Sequence, residues 1–161
     1  MSDIDDLIPL LGAPPGADAE PVEALQRQWG VNFPADFLSF VKAYGDLAID
    51  EYLYVWGARY LESYAGSMGS RMEGQPYMPA PVLPSEGGML LWGNTVEGDQ
   101  LFLVDRGQGR WTVSAFRRGN GDWYESDLEF VPWLRGVLTE EVAAEWFPEW
   151  DETLDVRRLS S

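Results

Sequence analysis

Apolar side chains recur at helical spacing through the first third of the chain. Three stripes follow one another, and each ends at a glycine: Ile4, Leu7, Ile8 and Leu11 before Gly12; Val22, Leu25 and Trp29 before Gly30; and Phe37, Phe40, Val41 and Tyr44 before Gly45. Residues at i, i+3, i+4 and i+7 share one face of an α-helix, and glycine commonly ends one. The pattern predicts three helices, the second capped by Asp18 and the third restarted by Pro34 with Asp36 in its first turn.

After Gly45 the spacing changes to two, which is the period of a β-strand. Residues 47–56 predict one strand or a pair of strands, and residues 58–65 predict a short helix. Further on, four short runs of strand-forming residues are separated by Gly, Asn and Asp turns: 89–92, 100–104, 111–116 and 122–124. Connections this short join antiparallel neighbours, so we expect a meander.

Residues 66–88, between these two parts, are rich in Gly, Pro, Ser and Met. Four of these residues are prolines: Pro76, Pro79, Pro81 and Pro84. Such a composition predicts no regular element. A loop of this length is uncommon inside a compact domain, so it is either a functional or mobile loop or an insertion under little selection.

A closing helix is predicted to begin near Asp127 and to turn one apolar face inward: Phe130, Trp133, Leu134, Val137 and Leu138. The residues beyond Thr139 mix acidic side chains with Trp146, Phe147 and Trp150. That mixture predicts one more amphipathic helix with a frayed end.

The order of these elements predicts one α+β domain over residues 1–161. Its core is expected at about residues 19–138, and residues 139–161 are expected to form an acidic, aromatic C-terminal extension. We expect an antiparallel meander sheet covered on one face by the N-terminal helices and the C-terminal helix.

The net charge of the chain indicates which kind of partner it could bind. The chain carries 27 acidic and 11 basic residues, which leave a formal net charge of −16. Nucleic-acid binding needs a basic surface, and the doublet Arg117-Arg118 is too small to supply one, so no direct nucleic-acid contact is expected. A basic protein is the natural electrostatic partner; the alternative is that the charge serves solubility alone.

Several chemistries are excluded by residue types that the sequence lacks. Without histidine or cysteine there is no Ser-His-Asp triad, thiol nucleophile or His/Cys metal site, and with Lys42 as the only lysine there is no GxxxxGK phosphate loop. We therefore expect no metal and no organic cofactor. The acidic first residues and the lack of an apolar run of ~20 residues predict a cytoplasmic chain without a membrane span. The sequence leaves the oligomeric state open, with a monomer slightly favoured.

Carboxylates are the remaining groups that could catalyse a reaction. Glu97, Asp99 and Asp105 lie close together in sequence, and two carboxylates at the right separation can hydrolyse a glycoside. The alternative is that these residues occupy hairpin turns and keep strand edges soluble.

The segment LQRQWGVNFPADFLSFVKAYG, residues 25–45, resembles the signature of the SUKH superfamily. The matching pairs are Trp29-Gly30, Phe33-Pro34, Asp36-Phe37 and Tyr44-Gly45. Downstream, LLWGNTVEGDQLFLVD (with Trp92 and Gly93), GRWTVSAF (with Trp111), Trp123 and FVPWLRGVL (with Phe130, Trp133 and Leu134) are similar to later motifs of that family. The resemblance covers about residues 19–138.

This resemblance implies an α+β fold, structural roles for the motif residues and a non-enzymatic function. Most members of the family are immunity proteins that neutralise toxins of bacterial polymorphic toxin systems, and fungal relatives act in cell-wall synthesis signalling. We therefore expect an immunity protein that covers a basic toxin domain, for example a nuclease; the alternative is a SUKH-type regulatory adaptor without a toxin partner.

Binding hot spots are enriched in Trp, Tyr and Arg, which directs attention to the aromatic side chains. The candidates for partner contact are Tyr52, Tyr54, Tyr60, Tyr77 and Trp92, together with the carboxylates Glu97, Asp99 and Asp105. Each aromatic residue is also suited to the core of a sheet domain.

Overall fold

A seven-stranded antiparallel sheet organises the chain in the computed structural model, which describes residues 4–57, 59–143, 145–150 and 152–159. The helices are a 3-10 turn at Ile4–Asp6, α1 (Ile8–Leu11), α2 (Glu20–Trp29), α3 (Ala35–Tyr44), α4 (Leu61–Met72) and α5 (Phe130–Leu138). The strands are β1 (Leu47–Ile49), β2 (Leu53–Val55), β3 (Leu90–Thr95), β4 (Gln100–Asp105), β5 (Trp111–Arg117), β6 (Asp122–Glu125) and β7 (Val156–Arg158). The predicted α+β class is confirmed.

From β1 to β6 each strand pairs antiparallel with the next. Short turns join all of these pairs except β2 and β3, which are separated in sequence by α4 and the segment after it. The strand order is β6-β5-β4-β3-β2-β1-β7. The predicted meander is therefore confirmed, and residues 47–56 form a pair of strands. β7 lies outside the meander and closes the far edge, with Leu47 opposite Arg158 and Ile49 opposite Val156.

One face of the sheet carries α2, α3 and α5, which meet over a core of aromatic rings. The Phe130 ring lies 5.1 Å from Phe37, 5.2 Å from Phe40 and 4.9 Å from Trp92, in edge-to-face arrangements. These are the stripes that the sequence pattern predicts. Full burial of each such side chain contributes about 1.5–3 kcal/mol, so this layer is a main source of stability.

Asp36 joins α3 to α5. Its Oδ2 accepts a hydrogen bond from the backbone N–H of Val131, at 2.8 Å, in the first turn of α5. Burial raises the pKa of Asp36 above 3.8, and the negative charge of Glu129 acts in the same direction, against the lowering effect of the Val131 N–H. The acidic position in the family-like motif therefore has a structural role in this fold.

A neutral side chain at position 36 should change how stability depends on pH. Because the pKa of Asp36 is higher in the folded than in the unfolded state, the protonated side chain favours folding. This contribution to the free energy of unfolding is fully present below the unfolded-state pKa and is lost as the pH rises through the folded-state pKa. Asp36→Asn should therefore gain stability relative to the wild type as the pH rises from about 3 to 7. Urea unfolding of both proteins across that range measures the difference; a constant or shrinking difference would contradict the assignment.

The opposite face of the sheet is covered by α4 and the segment that follows it. Their apolar side chains pack on Leu91 and Phe102: Ala65, Met72, Val82 and Met89. The predicted end of the helix at residue 65 and the absence of regular structure over residues 66–88 are therefore wrong in part. The prediction that helices cover only one face of the sheet is also wrong in part, because α4 lies on the other face.

Gly69 explains why the sequence misleads at α4. A Cβ at this buried position would lie 2.9 Å from Cγ1 of Val82, so the glycine permits close approach of helix and loop. Gly66 and Gly69 are read as helix breakers from sequence, since glycine costs about 1 kcal/mol in a helix, but packing against the sheet overrides that preference.

The C-terminal segment does not form the predicted amphipathic helix in the residues that the structure describes beyond Thr139. Two residues there adopt left-handed backbone conformations, Glu140 (φ 64°) and Ala143 (φ 55°), and Pro148 interrupts the chain further on. The aromatic side chains pack on the sheet domain instead: Phe147 lies 5.8 Å from Trp133 and 6.0 Å from Tyr52. Ala143 and Phe147 of this segment are buried in the core.

Candidate partner interface

Trp92 is fully buried among the rings of the core, with Trp133 at 5.9 Å. Its side chain has no surface to offer a partner, so the suggested contact role of Trp92 is wrong. Its position matches the structural role that the family-like motif implies.

Tyr54 and Tyr60 belong to an aromatic cluster at the β2 end of the sheet face that carries α4. Tyr54 stacks on Trp56 at 5.8 Å, and the Trp56 ring also contacts Tyr60 and Tyr64 at 6.1 and 5.3 Å. The Trp56 indole N–H donates to Oδ1 of Asn94 at 2.7 Å. The two candidate tyrosines are thus partly buried, and each packs against Trp56.

Tyr77 lies on the same face but at the opposite side of α4. Its ring stacks on Phe116 with centroids 4.1 Å apart. Tyr77 therefore anchors the segment after α4 to β5, and it does not share a surface patch with Tyr54 and Tyr60.

The three candidate carboxylates do not form one group. Asp105 ends β4 and accepts the backbone N–H of Gly107 at 2.8 Å, a turn interaction. Glu97 and Asp99 precede the same strand. At about 3.4 Å per residue, the six-residue strand keeps the two ends roughly 20 Å apart, beyond the separation at which two carboxyl groups share a glycosidic bond.

Asp99 connects the two turns beside the start of β4. It is 5% exposed; its Oδ2 accepts the Thr95 hydroxyl at 2.7 Å and its Oδ1 accepts the backbone N–H of Arg118 at 2.9 Å. These bonds tie the β3–β4 turn to the β5–β6 turn. Asp99 is therefore a buried carboxylate with a structural role, whereas Glu97 is exposed.

A cleft of about 450 Å³ brings Tyr52, Glu97 and Asp99 together. We call it the acidic aromatic cleft; its other walls are Arg117, Gly119, Asn120, Glu145, Trp146, Phe147 and Pro148. The β3–β4 turn, the β5–β6 turn and the C-terminal segment each supply one side. Three of the predicted contact residues thus meet in one site, and the C-terminal segment completes it.

Arg117 is the cation inside the cleft. Its guanidinium forms a two-point ion pair with Asp122, at 2.8 and 2.7 Å, and lies 5.8 Å from the centre of the Trp146 ring. The hydrogen bond to Asp122 raises the pKa of Arg117, and the charges of Glu145 and Asp99 add to the effect. Its charge is balanced within the protein.

The carboxylates of Asp99 and Glu97 make the electrostatic potential at Tyr52 negative. Burial raises the pKa of the Tyr52 phenol, and the charges of Asp99 and Glu97 raise it further. A phenol responds in this way because nearby anions disfavour its own negative form. A positively charged group entering the cleft would be stabilised by the same field.

Sequence reasoning identified Tyr52, Glu97 and Asp99 but not their neighbours in the cleft. Arg117 was noted only as half of a basic doublet, and Trp146 only as part of an acidic tail. No local pattern marks their meeting, because it depends on the C-terminal segment returning to β1 and β2.

The structure also contains a buried carboxylate that sequence reasoning missed. Asp46, with 0% exposure, accepts backbone N–H groups of Gly57 at 2.8 Å, Arg59 at 2.7 Å and Tyr60 at 3.4 Å. It fixes the turn between β2 and α4. The only signal in the sequence is an acidic residue directly after the Gly45 helix stop.

Within the described residues, no group of three or more Asp and Glu side chains is arranged to hold a metal ion. In the same ranges none of the helices has both the length and the apolar character for a bilayer crossing; the longest, α4, has 12 residues. No family model matches the chain, and the curated proteins and the solved structures give no significant match either.

Proposed function

We propose that the chain is a non-enzymatic protein-binding module of the SUKH type, an immunity protein that acts in the cytoplasm and neutralises a basic toxin domain. The main support is the acidic aromatic cleft, which combines carboxylates with ring surfaces on a chain of net charge −16. Aromatic anchors surrounded by complementary charge are typical of protein interfaces.

The arrangement of the carboxylates supports binding over catalysis. Asp105 lies at the far end of β4 from Glu97, and Asp99 is engaged by Thr95 and Arg118. A general acid and base would need two free carboxyl groups facing one substrate. Of the three candidates only Glu97 is left free at this end of β4, so they do not supply such a pair.

A nuclease toxin fits this surface best. A nuclease needs positive charge to hold phosphates, and an acidic inhibitor gains fast, steered association with it. An acidic domain that docks over such an active site would exclude the nucleic acid by occupying the same basic groove.

Co-expression tests this proposal directly. The chain is expressed with toxin domains encoded in the same genome, and growth is scored against expression of each toxin alone. We expect one toxin to be tolerated only in the presence of the chain, with non-cognate toxins as controls. Failure to rescue growth from any of them would contradict the immunity role and favour the regulatory adaptor.

Salt should slow binding to the rescued toxin. Because exposed charges are screened beyond ~8 Å at physiological ionic strength, the association rate constant should fall by about tenfold or more between ~0.05 and ~0.5 M salt. The dissociation rate should change much less. Stopped-flow mixing across that range measures both, and an association rate independent of salt would contradict electrostatic steering.

A further inference from the structure

We propose that the acidic aromatic cleft receives an arginine side chain of the partner protein. This inference rests on the proposed function, since it assumes a basic partner, and adds the surface of contact and the chemistry of the anchoring residue.

The first support is the imbalance of charge around the cleft. Four carboxylates lie in or beside it, those of Glu97, Asp99, Asp122 and Glu145, against the guanidinium groups of Arg117 and its neighbour Arg118. Asp122 is paired with Arg117, and Asp99 accepts bonds from Thr95 and Arg118.

Glu97 and Glu145 form no ion pair within the part of the chain that the structure describes, since neither carboxylate there lies within ion-pair distance of a basic side chain. Both are exposed, and both line the cleft from different elements of the fold. An incoming cation would be attracted by both.

The second support is the packing of Arg117, which shows that the cleft already accommodates a guanidinium. Arg117 packs over the Trp146 ring at 5.8 Å while its two nitrogens meet a carboxylate. The site thus combines the two features that a guanidinium uses, an aromatic surface and an oxygen pair. Tyr52 and Phe147 extend the aromatic wall beyond the position of Arg117.

Arginine fits this site better than lysine. A guanidinium is planar and weakly hydrated, so it can lie against ring surfaces and still donate to carboxylates at its edge. An ammonium group is a compact, strongly hydrated charge that gains little from the walls. Arginine is also among the residues that dominate binding energy at protein interfaces.

The test uses the full chain and N-acetyl-L-arginine amide as the probe. In an NMR titration, the indole N–H signal of Trp146 and the side-chain amide signals of Asn120 should shift saturably. N-acetyl-L-lysine amide should bind more weakly, and the neutral N-acetyl-L-citrulline amide should cause no saturable shift. Equal binding of the lysine or the citrulline compound, or no binding of the arginine compound, would overturn the assignment.

Variants locate the site. Glu97→Gln and Glu145→Gln should each raise the Kd of the arginine probe by about 1.4- to 5-fold, the range that one exposed ion pair supplies. Glu62→Gln is the matched control, because it removes the same charge from an exposed position on α4, across the sheet. If Glu62→Gln raised the Kd by as much, the probe would be responding to the net charge of the chain and not to the cleft, and the proposal would be wrong.

The double variant Glu97→Gln/Glu145→Gln separates this inference from the proposed function. If the wild-type chain rescues cells from a toxin and the double variant binds that toxin as tightly, the cleft is not the contact and the immunity role still holds. If the arginine probe binds the wild type but no toxin is neutralised, the immunity role fails and the cleft stands. Rescue by the wild type with at least tenfold weaker binding of the double variant is the expected result.

Discussion

Replacing Asp46 by alanine should lower the free energy of unfolding by about 3–5 kcal/mol. The fully buried carboxylate accepts the N–H groups of Gly57 and Arg59 at 2.8 and 2.7 Å, and a longer bond from Tyr60. Alanine would leave buried donors without an acceptor, and each hydrogen bond to a charged group contributes about 1.5–3 kcal/mol. The turn between β2 and α4 would lose its fixed conformation.

Equilibrium urea unfolding measures this loss, and two other variants calibrate it. Asp46→Asn keeps the size and one acceptor oxygen, so its loss should be intermediate. Asp18 precedes Ala19, which occupies the N-cap of α2, so the predicted cap position is wrong by one residue. Asp18→Ala removes a single exposed bond, from the N–H of Glu20 at 3.0 Å, and should cost about 1 kcal/mol. A loss for Asp46→Ala no larger than that for Asp18→Ala would refute the role assigned to the buried carboxylate.

Gly93→Ala should cost about 2–4 kcal/mol, although it adds only one methyl group. A Cβ at Gly93 would lie 2.6 Å from the carbonyl oxygen of Tyr54 on the paired strand β2. A backbone atom cannot move away as a side chain can, so β2 and β3 would have to separate at the centre of the sheet. The strain would loosen the attachment of β1 and β2 to the meander.

Gly119→Ala is the matched control for that substitution. Gly119 lies in the exposed β5–β6 turn, where a Cβ would meet nothing within 4 Å. Its unfolding free energy should stay within about 0.5 kcal/mol of the wild type. Equal losses for the two variants in thermal and urea unfolding would show that close approach of the strands is not what requires glycine at position 93.

The helices α2, α3 and α5 could be predicted because their local signals agree with their environment. In α2, for example, Val22 and Leu25 are buried on the apolar face, and Gly30 ends the helix in a left-handed conformation with φ 66°. A pattern that is helical by period and ends at a glycine leaves one interpretation. The strands of the meander were found for the same reason.

Elements that depend on distant partners could not be read from local patterns. Gly69 looks like a helix breaker until Val82 is seen beside it, and the C-terminal segment looks helical until Phe147 is seen against Trp133. The candidate site divides in the same way. Tyr52 and Glu97 follow from residue type, whereas Trp146 joins them only through the tertiary fold.

The position of β7 imposes an order on assembly of the chain. β1 is buried along its whole length, and its outer edge is covered by residues made long afterwards, as shown by the bond from the N–H of Asp155 to Asp50, 105 positions earlier. While the chain is still on the ribosome, Leu47, Ala48 and Ile49 therefore form an apolar edge open to other nascent chains. The edge of β1 is covered only once the C-terminal segment has been made, so newly made protein exposes an apolar edge that β7 covers in the finished domain.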